Sequence, residues 1–306
     1  MSDNFGNDDG NGGEGSRKDK NAIFSAPEDV EKNWAMSKGL AMSREEIVKR
    51  DFGLDIPTAL VPLPSGGAIY PSDSPLHMKE HVEIRGMTTR EEDILMSRAL
   101  IRKGTVISEL IKSCIVTPGV DVQGLVGGDR NALMVSIRIL GYGSEYQGSI
   151  DCPKCEHKNE ISVNLNDLNI KPLKVQPVEA GVNKFAFTLP LTKKEVLFKF
   201  LTGREEEEIL AALEMKKKKG VQNDNVVTTR LLHSVVSIGG ISDKHKISQF
   251  ISFMPARDSI ALRQYMDDVE PGMDMKFDFT CGSCGHWEVM PLPLGPNFFW
   301  PNARKS

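Results

Sequence analysis

The chain has 306 residues, 40% of them hydrophobic and 26% charged, with 38 basic against 42 acidic side chains. That is length enough for about two domains with ordinary cores, and a net charge of −4 argues against a dedicated nucleic-acid binder, which carries a clear basic excess. No run approaches the roughly 18 to 20 apolar residues of a membrane-spanning helix. The opening MSDNFGNDDGNGGEGSRKDK lacks the apolar core of a secretory signal, and five cysteines are too few for a disulfide scaffold. A reducing, cytosolic setting is therefore expected, and there paired cysteines suggest metal.

Residues 1–60 read as a largely disordered arm. Gly6, Gly10, Gly12, Gly13 and Gly15 alternate with acids and amides, and such a stretch cannot offset its ordering entropy by burial. Leu63-Pro64-Ser65-Gly66-Gly67 is a turn that opens a first, mostly helical lobe over 61–145. Short strands are expected at Ala68–Tyr70 and Val82–Arg85. Thr89-x-x-Glu92 reads as a capping box that opens a helix ending at Gly104. A second helix carries Val106, Leu110 and Ile111. A third helical region spans Asp121 to Arg138, with an interruption at Gly127-Gly128.

Residues 146–166 are polar and extended. Over 167–273 a strand at Phe185, Phe187 and Leu189 precedes two more capping boxes, Thr192-x-x-Glu195 and Thr202-x-x-Glu205. The second opens a helix that is acidic at its start and ends in the lysines from Lys216 to Lys219, which complements the helix dipole. Val227, Leu231, Val235 and Ile238 recur at helical spacing, as do Ile247, Phe250, Ile251 and Met254. Pro255 suits the first turn of a last helix, which Pro271-Gly272 stops. Residues 274–291 return to strand, and 292–306 form a tail rich in proline and aromatics.

Two C-x-x-C pairs, Cys152-Pro153-Lys154-Cys155 and Cys281-Gly282-Ser283-Cys284, each sit between strand-like segments. Two such turns complete a tetrahedral sulfur shell of the kind Zn²⁺ accepts, so Cys152, Cys155, Cys281 and Cys284 are the expected ligands of a structural zinc. The 125 intervening residues exceed the usual spacing of about 15 to 20. The zinc ribbon over 146–166 and 274–291 is therefore expected to carry an inserted helical domain, giving an α+β fold of helical lobes joined to a small β ribbon. No helix start follows either pair to activate a redox thiol. Cys114, among Ile111, Ile115 and Val116, reads as a small buried hydrophobe. Four thiolates close the shell and leave no position for substrate. His157 and His286 read as exposed neighbours of the pairs rather than ligands. Phosphate-loop, nucleophile-elbow and H-E-x-x-H motifs are absent, and Arg257-Asp258 reads as a cap or ion pair rather than a catalytic acid.

Leu63–Tyr70, the Thr88–Asp93 helix start, Asp129–Leu133, Arg138–Gly143, Cys152–Cys155, Cys281–Gly285 and Asn297–Pro301 together resemble the baseplate protein family of T-even-type contractile bacteriophages, over roughly residues 60 to 301. The resemblance implies no enzyme but a structural or assembly (chaperone-like) protein of the baseplate hub. Its partners would be other hub and tail proteins. It would act in the host cytoplasm during assembly and in the tail baseplate of the virion, without membrane or small-molecule substrate. Phe298, Phe299 and Trp300, stiffened by neighbouring prolines, read either as an aromatic anchor for a partner or as a tail that folds back over the chain's own core. The alternative is a zinc-ribbon nucleic-acid binder, which the scarcity of basic and stacking residues on the ribbon strands disfavours.

Overall fold

The computed structural model describes residues 44–218, 226–292 and 296–299. The chain divides into two compact units, Met1–Asp55 and Ile56–Ser306. In the first, helix α1 (Arg44–Phe52) ends just before Asp55, which pairs with Lys49 at 2.8 Å. This helix lies in a stretch expected to be largely disordered. Residues 1–43, with their glycine-rich start, lie outside the described residues.

The second unit begins with strand β1 (Thr58–Pro62), ahead of the expected lobe boundary. It pairs antiparallel with β2 (His81–Arg85). The expected strand at Ala68–Tyr70 is instead a series of turns. Gly66 and Gly67 hold φ of 59° and 70°, and a Cβ on Gly67 would fall 2.3 Å from the Leu76 carbonyl oxygen, so the chain must fold back here and only glycine fits.

Helices α2 (Thr89–Met96), α3 (Arg98–Lys103) and α4 (Val106–Cys114) follow. The first cap sits one residue earlier than the sequence pattern placed it. The Glu91 carboxylate accepts from the Thr88 backbone N–H at 2.8 Å and from its hydroxyl at 2.6 Å. The shift has a cause in packing: Glu91 also takes the Arg85 guanidinium at 2.8 Å in a buried pair, whereas Glu92 reaches the Tyr142 hydroxyl.

A short 3-10 turn (Val122–Gly124) leads into α5 (Gly127–Tyr142), the longest buried helix of this region. The glycine pair starts this helix rather than interrupting it. A Cβ on Gly128 would lie 1.8 Å from the Pro271 carbonyl oxygen, so the helix start and that turn pack backbone to backbone.

Hairpin β3 (Glu145–Asp151) and β4 (Lys158–Asn164) comes next. The segment β5 (Ile170–Lys171) pairs with the distant β9 (Gly272–Met273). Between them lie a three-stranded antiparallel sheet, β6 (Phe185–Thr188), β7 (Glu195–Phe198) and β8 (Val235–Ile238), and helices α6 (Gly203–Lys218), α7 (Val226–Ser234), α8 (Lys244–Phe253) and α9 (Ala256–Val269). Hairpin β10 (Lys276–Thr280) and β11 (Trp287–Pro291) completes the strands. All pairings are antiparallel, and nine helices beside several small sheets make an α+β fold among the described residues.

Two expectations fail in this region. Thr192-x-x-Glu195 opens no helix. Lys193 turns with φ of 56°, the Leu191 and Thr192 N–H groups donate to the buried Asp258, and Val196 and Phe198 alternate inward as the central strand. The helical run drawn through Ile238 stops at Ser234. Val235 and Ile238 are buried as a strand, because the free side of β7 offers their backbone a partner. Thr202-x-x-Glu205 does cap a helix: the Glu205 carboxylate accepts from the Thr202 N–H at 2.8 Å and from its hydroxyl.

One hydrophobic cluster runs through the second unit, from Val61 and Ile84 through Leu133 and Ile137 to Phe185, Phe198 and Leu262. A separate small cluster of Cys152, Phe279 and Cys281 fills the space between the two hairpins, flanked by Ile150, Ile161, Phe277 and Met290.

Candidate metal centre

Each hairpin ends in a C-x-x-C turn, and the two turns are built alike. The Cys152 N–H donates to the His157 carbonyl at 2.9 Å, and the Glu156 N–H donates back to the Cys152 carbonyl at 2.8 Å. In the other turn Cys281 donates to His286 at 2.8 Å, and Gly285 returns to Cys281 at 3.0 Å. The residue after the second cysteine of each turn takes a left-handed backbone, Glu156 at φ 57° and Gly285 at φ 66°. Glycine does so freely; for Glu156 the cost is on the order of 1 kcal/mol.

This shared geometry folds each pair of sulfurs to one side, and the small apolar cluster sets the two sides face to face. Cys152 Sγ lies 3.8 Å from Cys284 Sγ, and Cys155 Sγ lies 3.7 Å from Cys281 Sγ. All four sulfurs fall within 4.8 Å of one another. A disulfide needs about 2.0 Å. A tetrahedron with metal–sulfur bonds of about 2.3 Å has edges of about 3.8 Å, so the donor set fits one four-coordinate thiophilic ion.

Cys152 and Cys281 are buried, and Cys155 and Cys284 are exposed. Electrostatics differ within the set. The Cys284 backbone N–H, with help from that of Ser283 and the Asn159 side chain, pulls the Cys281 thiol down to about 6. Cys155 accepts from the His157 backbone, yet the neighbouring thiols, Cys284 first, push it up to about 12. A dication among the four sulfurs would favour all four as thiolates.

The structure brings together the four cysteines singled out from spacing. Neither His157 nor His286 joins them: each gives its backbone carbonyl to its own turn, and the His286 ring lies 3.3 Å from Glu288. Cys114 is fully buried, apart from the cluster, with its thiol pushed up to about 12 by burial.

The aromatic anchor needs correction. Phe298 and Phe299 are fully buried. Phe298 packs on Tyr146 with ring centres 5.3 Å apart and meets Phe299 edge-on at 5.3 Å. Their apolar area is better removed from water by the chain's own core than left for a partner. Trp300 lies outside the described residues.

Other buried charges are tied up internally. Asp129 accepts from the Ser65 N–H and hydroxyl and the Tyr70 hydroxyl at 2.9, 2.5 and 2.5 Å. Asp258 caps the turn at Leu191 and Thr192 rather than acting as a poised acid. One acidic pair escaped the sequence reading. Glu206 Oε1 and Glu270 Oε1 both face the start of α5, 3.1 and 3.8 Å from where a Gly127 Cβ would stand. Burial, and then the Glu206 charge, pushes the Glu270 carboxyl up to about 7. Glu270 also edges a cavity of about 230 Å³ lined by Phe200, Leu231, Met266, Arg230 and Arg263. No local motif marks this pair, because its members lie 64 positions apart.

The family model described as T4 bacteriophage base plate protein matches residues 61–300. The chain belongs to that family of phage baseplate proteins. No curated protein and no solved structure gives a match.

Proposed function

We propose that the protein is a structural or assembly component of the baseplate hub, works through contacts with other tail proteins, and is not an enzyme. The family match over residues 61–300 carries this reading. It is supported by the internal pairing of Asp129, Glu91 and Asp258, which leaves these buried acids occupied with their own fold. No helix among the described residues is long and apolar enough to cross a membrane.

Within this role Cys152, Cys155, Cys281 and Cys284 would hold one Zn²⁺. The ion supplies cross-linking rather than chemistry, since four thiolates leave no open position. The residues do the rest. The two turns aim the sulfurs, Phe279 and Ile150 with their neighbours keep water from the inner side, and the hairpin strands carry the constraint outward. The ribbon over 146–166 and 274–291 would then fasten the two ends of an inserted helical domain over 167–273. Such a clamp suits a protein that must hold its shape while neighbours assemble on it.

Co-purification from a tail-assembly extract tests the role. Tagged protein is expected to bring down other hub and tail proteins in stoichiometric amount. Recovery of nucleic acid alone, with binding that falls steeply as salt rises, would favour the nucleic-acid reading instead.

A further inference from the structure

The two cysteine turns are near copies, and the place where they differ points to a residue that neither C-x-x-C motif contains. Counting seven positions from the first cysteine gives Asn159 in one turn and Glu288 in the other. Glu288 is exposed, and among the described residues its carboxylate reaches the His286 ring, 3.3 Å away. Asn159 is buried and faces the opposite hairpin. Its Nδ2 donates to the His157 carbonyl at 2.8 Å, within its own turn, and to Cys281 Sγ at 3.6 Å across the site. Its Oδ1 accepts the Gly282 N–H at 2.9 Å, also across the site.

The orientation of the amide is forced. A carbonyl can only accept and a backbone N–H can only donate, so the nitrogen must face His157 and the oxygen must face Gly282. The second asymmetry matches the first. The residue after the first cysteine is Gly282 in one turn and Pro153 in the other. Proline has no N–H, so a mirror-image Asn opposite Pro153 would find no donor. The cross-link can be made in one direction only, and the chain places its asparagine on the side where it works.

We propose that Asn159 is the positioning residue of the four-thiol site: it docks the Cys281–Cys284 turn onto the first hairpin and fixes Cys281 Sγ in the direction a bound metal requires. This rests on the metal reading proposed above. The physical need is plain. The two halves are separated by more than 120 residues, and the apolar cluster between them is small. Apolar contact is not directional, so it brings the turns together without setting their register. Two hydrogen bonds across the site from one buried amide, itself held in its own turn by the His157 carbonyl, set it. Groups behind metal ligands that orient them in this way typically change metal affinity about 10- to 100-fold when removed.

The test uses the full chain and Co²⁺, whose thiolate charge-transfer and ligand-field absorptions report sulfur coordination directly. Wild type, Asn159→Ala, Asn159→Asp and Glu288→Gln are titrated with Co²⁺ against a competing chelator, with circular dichroism as the folding check. Asn159→Asp keeps the size and the acceptor but loses both donated bonds, so it serves where the alanine variant fails to fold. Both Asn159 variants are expected to bind Co²⁺ about 10- to 100-fold more weakly. Their charge-transfer band should move to longer wavelength, because a sulfur without its N–H donor gives up electrons more easily. Glu288→Gln should match wild type in both. Wild-type affinity and spectrum in a folded Asn159 variant would overturn the proposal and leave the metal site standing. Failure of wild type itself to bind Co²⁺ would overturn the metal reading and this proposal together.

Discussion

Arg138 donates its Nε hydrogen to the Phe298 carbonyl at 3.2 Å, joining helix α5 to a residue 160 positions later. The same guanidinium donates to the Gly143 and Glu145 carbonyls at 2.8 and 3.2 Å and lies 5.3 Å from the centre of the Tyr142 ring. A fully buried arginine thus ties together the end of α5, the start of the first hairpin and the C-terminal aromatics. Burial lowers its pKa, opposed by the neighbouring Tyr142 and Tyr146.

Phe298→Ala tests whether this end of the chain is core or docking surface. Complete burial predicts a loss of about 3–5 kcal/mol of stability, seen as a lower urea midpoint for the isolated protein. A midpoint unchanged from wild type, with loss of partner binding, would restore the anchor reading for this residue.

Removing Glu91 should be costly. Its carboxylate is fully buried against Arg85 and also receives Ser113 and Thr88 hydroxyls. Despite the opposing effect of burial, these bonds hold its pKa at about 2. Its contribution is therefore present above about pH 4.5 and fades as pH falls toward 2. Glu91→Gln should cost about 3–5 kcal/mol at pH 7 by leaving Arg85 without its carboxylate. The deficit should shrink in acid. A deficit independent of pH between 7 and 3 would show that the charge is not the source.

Glu270 predicts the opposite trend. Its folded pKa of about 7 lies above the ordinary 4.5. The unfolded chain therefore loses its proton first, and folded-state stability declines from about pH 4.5 up to 7. Glu270→Gln keeps the neutral form at every pH. It should be close to wild type near pH 4.5 and more stable by roughly 3 to 3.5 kcal/mol at pH 8, at about 1.4 kcal/mol for each pH unit between 4.5 and 7. Denaturant midpoints at the two pH values check this. Equal midpoints at pH 8 would mean that Glu206 and Glu270 share the site without conflict.

The cysteine cluster was legible in the sequence because C-x-x-C is local: four residues encode the turn, and the sulfur chemistry selects the partner. Thr202-x-x-Glu205 was legible for the same reason. Thr192-x-x-Glu195 carries the same letters, but Asp258, 66 residues away, takes the Thr192 N–H that a helix start would have left open. Val235 and Ile238, three positions apart, fit helical spacing, and only the open side of β7 makes this stretch a strand. Asn159 and the Glu206–Glu270 pair act on residues far away in the chain, so no window of sequence contains both halves. Phe298 and Phe299 read as an exposed anchor because nothing nearby announces Tyr146 and Arg138 as their cover.

Native mass spectrometry of the intact protein decides whether four thiols drawn from two distant hairpins hold one zinc. The expected spectrum shows a single zinc per chain. That zinc should be lost with a strong chelator, and Cys152→Ser and Cys281→Ser, one from each turn, should carry substoichiometric metal and unfold more readily. A metal-free wild-type chain purified without chelator, unable to take up zinc when it is added back, would contradict it.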